Sequence, residues 1–211
     1  MARGLPGVWS SILSVPFFIS GGYVYLASTP YPELLGLPLI LFGGFVFLMG
    51  WYIHLVAEPP APVLREGEEI MDTRHPTQKA ALAKVVFGLP FLALAGYLLV
   101  LTTVPYVYPT VAFVVGLYLF STGILTYWTN SLTTYYITNQ RVISEFRLLS
   151  LVRTEVPIDK VRAVKETKSP IEAMVGVGNI KVSSGGGTGL GVTIRNVDAS
   201  TEFADELRSL T

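Results

Sequence analysis

Between Val8 and Tyr127 the chain carries four apolar stretches, each long enough to cross a bilayer as a helix. A hydrocarbon core of about 30 Å needs roughly 20 such residues at about 1.5 Å each. The stretches are 8–27, 34–56, 81–104 and 110–127. Backbone groups in lipid have no water to bond, so helices are expected there. Pro16, Pro38 and Pro90 should kink them without preventing insertion. The first stretch also resembles a cleaved signal peptide, with Arg3 ahead of it. Its apolar run exceeds the usual length of about 7–15 residues, and Tyr25-Leu26-Ala27 has Tyr25 where the A-x-A-like pattern needs a small residue two positions before the last alanine. It reads as an anchor.

Composition agrees. The chain is 51% hydrophobic and 14% charged, against about 25% charged in soluble domains. From Val8 to Leu64 the only charged side chains are Glu33 and Glu58, whereas ten basic and nine acidic residues lie from Arg141 onward. Two different solvents are implied. A net charge of zero gives no global signature of nucleic-acid binding. The absence of cysteine excludes disulfides, thiol catalysis and thiolate metal sites. Two histidines, His54 and His75, would need carboxylates or a second chain to build a metal site. No cofactor is expected.

Orientation follows from lysine and arginine, which stay on the cytoplasmic side of short loops. The connections 28–33 and 102–109 contain neither. Arg3, the connection 57–80 with the nearby Lys84, and the tail hold all 15 basic residues. The reading is a multi-pass cell-membrane protein with both termini cytoplasmic. Lys84 is close enough to a helix start to snorkel.

The first and third stretches share a spaced pattern: Pro16-Phe17 then Gly22-Tyr23, and Pro90-Phe91 then Gly96-Tyr97. Two similar hairpins are one explanation. In the second stretch Gly36, Gly43 and Gly50 return to nearly one face, and the fourth has Gly116 and Gly123 in similar register. Such faces allow close helix approach, within a four-helix bundle or across a homo-oligomer seam. No Asp or Glu lies in mid-span, which weighs against ion-coupled transport. Neither G-x-S-x-G nor H-E-x-x-H occurs. No catalytic residue is assigned.

After Asn130 short alternating runs predict strands at 133–138, 141–146, 151–158, 161–167, 179–183 and 191–197. A short helical turn is expected at 169–175. The chain should close with an amphipathic helix capped by Asp198 or Ser200, with Phe203, Leu207 and Leu210 on one face. The fold class is therefore an α+β membrane protein. A transmembrane domain, 1–130, is followed by an antiparallel β barrel or sandwich at 131–211 with a C-terminal helix. Its expected core is Ile137, Val142, Val164, Ile180, Val182, Ile194, Phe203 and Leu207.

Several runs occur in a telling order: Glu66-Gly67-Glu68-Glu69, Arg74-His75-Pro76, Thr138-Asn139-Gln140-Arg141-Val142-Ile143 and Val156-Pro157-Ile158-Asp159-Lys160-Val161. Ser169-Pro170-Ile171 and Gly176-Val177-Gly178-Asn179-Ile180 complete it. From Glu66 to Leu210 the chain resembles the bacterial and archaeal pleckstrin-homology-like family of membrane proteins. In that family a transmembrane helix pair precedes a PH-like domain. Here Arg147-Leu148-Leu149-Ser150 replaces the family's frequent glycine turn, and the N-terminal hairpin is extra.

Two features invite functional readings. Gly185, Gly186, Gly187 and Gly189 lie in a run that matches no phosphate-loop pattern and joins strand to strand. It reads as a hairpin tip and contact loop. Arg147, Arg153 and Lys168 are candidate contacts for anionic lipid headgroups. The leading function is a non-enzymatic, membrane-anchored scaffold or interaction protein, self-associating or bound to another membrane protein. The alternative is a small channel, transport or lipid-handling component.

Overall fold

The computed structural model describes residues 4–27, 32–55, 61–184 and 191–209, excepting the side chains of 206–209. The chain divides into two compact units, Met1–Glu58 and Pro59–Thr211.

The first unit is a helical hairpin of α1 (Pro6–Leu26) and α2 (Gly36–Leu55). The second begins with an extended arm and strand β1 (Ile70–Arg74), then a hairpin of α3 (Lys79–Leu101) and α4 (Val107–Ser131). Strands β2 (Thr133–Thr138), β3 (Arg141–Arg147), β4 (Leu151–Pro157) and β5 (Val161–Thr167) follow. Helix α5 (Pro170–Met174), β6 (Val177–Ser184), β7 (Gly191–Asp198) and α6 (Ser200–Ser209) complete the order. All four long helices are apolar enough to cross a membrane. Their outer faces carry bare apolar side chains such as Ile19, Leu41, Leu82 and Val111, a surface suited to lipid.

Each hairpin is closed by small residues. A Cβ on Gly43 would lie 3.1 Å from the Cβ of Phe17, and one on Gly116 would lie 2.8 Å from Leu92 N. The two hairpins bury equivalent positions. Pro6, Gly7, Ser14 and Gly21 of α1 correspond at a constant offset to Ala80, Ala81, Gly88 and Ala95 of α3. Gly36, Gly43 and Gly50 of α2 correspond in the same way to Pro109, Gly116 and Gly123 of α4. Gly22 and Gly96 both face open space. The likeness seen in four sequence positions thus extends to the packing faces.

The β region is a sandwich rather than a closed barrel. One antiparallel sheet has the order β1-β2-β3-β4 and the other β5-β6-β7. Alternation sends Ile137, Val142, Val156, Ile180, Val182, Val192 and Ile194 into the space between them. Phe203 and Ala204 of α6 complete that core. Val164 is partly buried there, and the side chain of Leu207 and all of Leu210 lie outside the described residues.

Two elements depart from expectation. Strand β1 arises in the segment read as a plain connection, pairing Arg74 with Tyr135 and Thr73 with Tyr136. Five residues with two charges and no clean alternation leave little strand signal. Helix α4 also runs a turn further, to Ser131. That turn is polar because it ends against the β region, where Asn130 and Ser131 are buried.

Candidate functional site

The helix pair and the sandwich are one construction. Only Leu132 separates α4 from β2. Thr77 N donates to Asn196 O at 2.8 Å, and Asn130 Nδ2 donates to Thr77 O at 2.9 Å. Because that carbonyl only accepts, the orientation of the Asn130 amide is fixed. Its Oδ1 then accepts from Asn196 Nδ2 at 3.1 Å. The chain continues from Asn196 N to Asn179 Oδ1 at 3.0 Å, and from Asn179 Nδ2 to Glu172 Oε2 at 2.9 Å. Asn196 adopts a positive φ of 52°, a conformation asparagine tolerates better than most residues. Lys79 and Asp198 add an ion pair at 2.8 Å.

A second cluster clamps the arm ahead of β1 to the sheet. Gly67, at φ 71°, turns the arm so that Glu68 points inward. Arg141 Nε donates to Glu68 Oε1 at 2.8 Å and Nη2 to Oε2 at 2.9 Å. The remaining guanidinium bonds reach Glu155 and Val63 O. Thr138 Oγ1 donates to Glu68 at 2.7 Å, while Asn139 Nδ2 donates to Gly67 O at 3.0 Å. The Glu66–Glu69 and Thr138–Arg141 runs are therefore partners in space. Bonding to Arg141 outweighs burial and holds the Glu68 carboxyl down at about 2. An acid held so low and so fully bonded is no general base near neutral pH.

The five glycines expected on a packing face all meet their hairpin partners: Gly36 meets Gly21 O, Gly50 meets Ser10, and a Cβ on Gly123 would lie 2.9 Å from Val85 N, with Gly43 and Gly116 as above. Gly185, Gly186, Gly187 and Gly189 lie outside the described residues. The three basic candidates do not form one group. Arg147 and Arg153 belong to the β3–β4 hairpin, whereas Lys168 follows β5 in the other sheet. Arg153 Nε donates to the buried Glu145, and Lys168 pairs with Glu166 at 3.0 Å.

The β3–β4 turn carries an unanticipated feature. Arg147 N donates to Leu132 O at 3.3 Å, which sets the turn beside the end of α4. There Leu149 is 85% exposed, with Leu151 and Val152 also bare. Sequence signal existed in Leu148-Leu149-Ser150-Leu151-Val152, where a soluble turn would be polar. Among the described residues no three His, Asp or Glu side chains gather as a metal donor set.

A family model described as bacterial PH domain matches residues 85–211, more than half of the chain. The match takes in most of the α3–α4 hairpin and everything after it, and begins beyond the arm and β1. No curated protein and no solved structure matches the chain.

Proposed function

The chain belongs to the bacterial PH domain family, and from that premise we propose that it is a membrane-anchored, non-enzymatic scaffold at the inner membrane surface. The observation that carries this reading is the junction. A sheet strand precedes α3, another follows α4 after one residue, and a chain of side-chain amides ties the two parts together. A domain fixed in this way keeps the same faces toward the lipid and toward the cytoplasm, as a docking platform requires. Leu149, Leu151 and Val152 would dip into the interface, with Arg147 and Arg153 at headgroup level.

Confinement to a thin layer raises the effective concentration for weak contacts between domains. Self-association is accordingly part of the proposal, through the β domain rather than the glycine faces, which the hairpins already occupy. The transport alternative has no comparable support. Within each hairpin the helices meet closely at their glycines, as packing requires.

Cross-linking in native membranes before extraction tests this reading. Products at multiples of the chain mass, or one reproducible heteromeric product, are expected. A strictly monomeric chain with no cross-linked neighbour would remove the scaffold function.

A further inference from the structure

Wholly within the second unit, a polar cleft of about 560 Å³ opens between the α3–α4 hairpin and the face formed by α5, β6 and β7. Its volume falls in the range of about 300–1,000 Å³ typical of small-molecule sites. It follows α4 from Asn130 back to Thr122, about 12 Å along the helix. On the proposed anchoring, this depth runs from the cytoplasmic surface through the headgroup layer, roughly 5–7 Å thick, into the edge of the hydrocarbon.

The walls differ in chemistry. Thr122, Thr126 and Thr129 donate their hydroxyls to carbonyls one turn back, at 2.9, 2.7 and 2.7 Å. Their oxygens therefore offer acceptors, and the charged donors are Lys84 and Arg195. Among the described residues Lys84 Nζ bonds Thr126 Oγ1 alone, at 3.3 Å. Arg195 is exposed, and its guanidinium has no carboxylate partner among the described residues. The same cleft is lined by Glu172, 9% exposed. Its Oε2 accepts from Ser169 N at 2.7 Å and from Asn179, while Oε1 has no hydrogen-bond partner among the described residues. Burial alone would raise this carboxyl, but those bonds and the charge of Lys84 bring it below its usual value. It is ionised at neutral pH.

A ligand for this cleft must present an anion to two cations and a hydrogen-bonding cation to a carboxylate and hydroxyl oxygens. We propose that the cleft binds the headgroup of phosphatidylethanolamine from the adjacent leaflet, with the phosphodiester against Lys84 and Arg195 and the ammonium against Glu172. A free ethanolamine phosphate shares this chemistry, but the wall of α4 leads down to the lipid, which favours the membrane source. The inference rests on the membrane-anchored reading.

Native mass spectrometry of the full chain in detergent, titrated with phosphatidylethanolamine, phosphatidylcholine or phosphatidylglycerol, tests it. Ethanolamine should be preferred over choline by about tenfold or more, because a trimethylated amine cannot donate to Glu172. Glu172→Gln keeps an acceptor for the α5 cap and should erase that preference. Arg195→Gln, at an exposed position, should weaken both the ethanolamine and the glycerol lipid. Equal binding of ethanolamine and choline lipids, or a preference unmoved by Glu172→Gln, overturns the site. Binding of soluble ethanolamine phosphate with no lipid retained overturns the lipid source. Failure of the anchored reading would appear separately, as release of the chain from membranes by alkaline carbonate.

Discussion

Arg141 and Glu68, 73 residues apart in the chain, meet through two hydrogen bonds of 2.8 and 2.9 Å in a setting where the carboxylate is wholly buried. Glu155 contributes a second carboxylate to the guanidinium, and Arg65 stands 3.8 Å from Glu155. Two positive and two negative groups thus neutralise one another. The pair joins the arm ahead of β1 to the β2–β3 turn, so it fixes where the chain enters α3.

Removing one partner strands the other. Arg141→Met is expected to cost about 3–5 kcal/mol, because Glu68 would remain charged and buried. The double variant Glu68→Leu/Arg141→Met should recover much of that loss. Denaturant unfolding of the detergent-solubilised β region checks this, and a double variant as weak as the single one would disprove the pairing.

The same contact sets an acid limit. The folded carboxyl of Glu68 lies at about 2, below its usual value near 4.5. A depressed carboxylate contributes stability that is full above the unfolded value and is lost as pH falls through the folded one. The unfolding midpoint of the wild type should therefore fall more steeply than that of Glu68→Gln between about pH 4.5 and 2. Parallel profiles would contradict the assignment.

The clamp and the cleft were the least legible parts of the sequence. Strands β6 and β7 stand out because alternation is a local signal, and the four long helices because length and apolarity are. The bond between Glu68 and Arg141 has no periodicity, and β1 is too short and too charged to announce itself. Their two runs lie about 70 residues apart in the chain, and only folding makes them partners. Lys84 reads as a snorkelling residue in sequence. Its place in one cleft with Glu172 and Arg195 depends on three elements that no spacing links.

The packing faces of the helices separate two kinds of glycine. A Cβ at Gly116 would stand 2.8 Å from Leu92 N and 3.0 Å from Phe91 Cβ, so α3 and α4 must part. Gly116→Ala should cost about 1–3 kcal/mol. At Gly96 nothing lies within 4 Å, and Gly96→Ala should cause no loss. Thermal midpoints in one detergent compare the two, and equal effects would refute the close approach.

Topology has a direct assay because the chain contains no cysteine. Single cysteines at Pro30 and Tyr106 should react with an impermeant thiol reagent in intact cells. One at Ser169 should react only after lysis. The opposite labelling pattern would invert the proposed orientation.

The β3–β4 turn provides the test of how the sandwich is seated. Thr133 pairs with Phe146, and Arg147 N bonds Leu132 O, so the turn stands level with the end of α4. Strand β4 then rises through Pro157 to the turn holding Lys160, about 20 Å away at roughly 3.3 Å per residue. If α4 ends at the headgroups, Leu149 lies at the acyl boundary and Lys160 in water. A fluorophore on Leu149→Cys, in nanodiscs containing brominated lipid, should be strongly quenched, and one on Lys160→Cys should not. Leu149→Asp should leave the fold intact, since the side chain is 85% exposed, yet weaken the seating by placing a charge in the interface. Equal quenching at both positions would mean that the sandwich lies flat or stands clear of the lipid, and the turn would then serve as a contact for another protein.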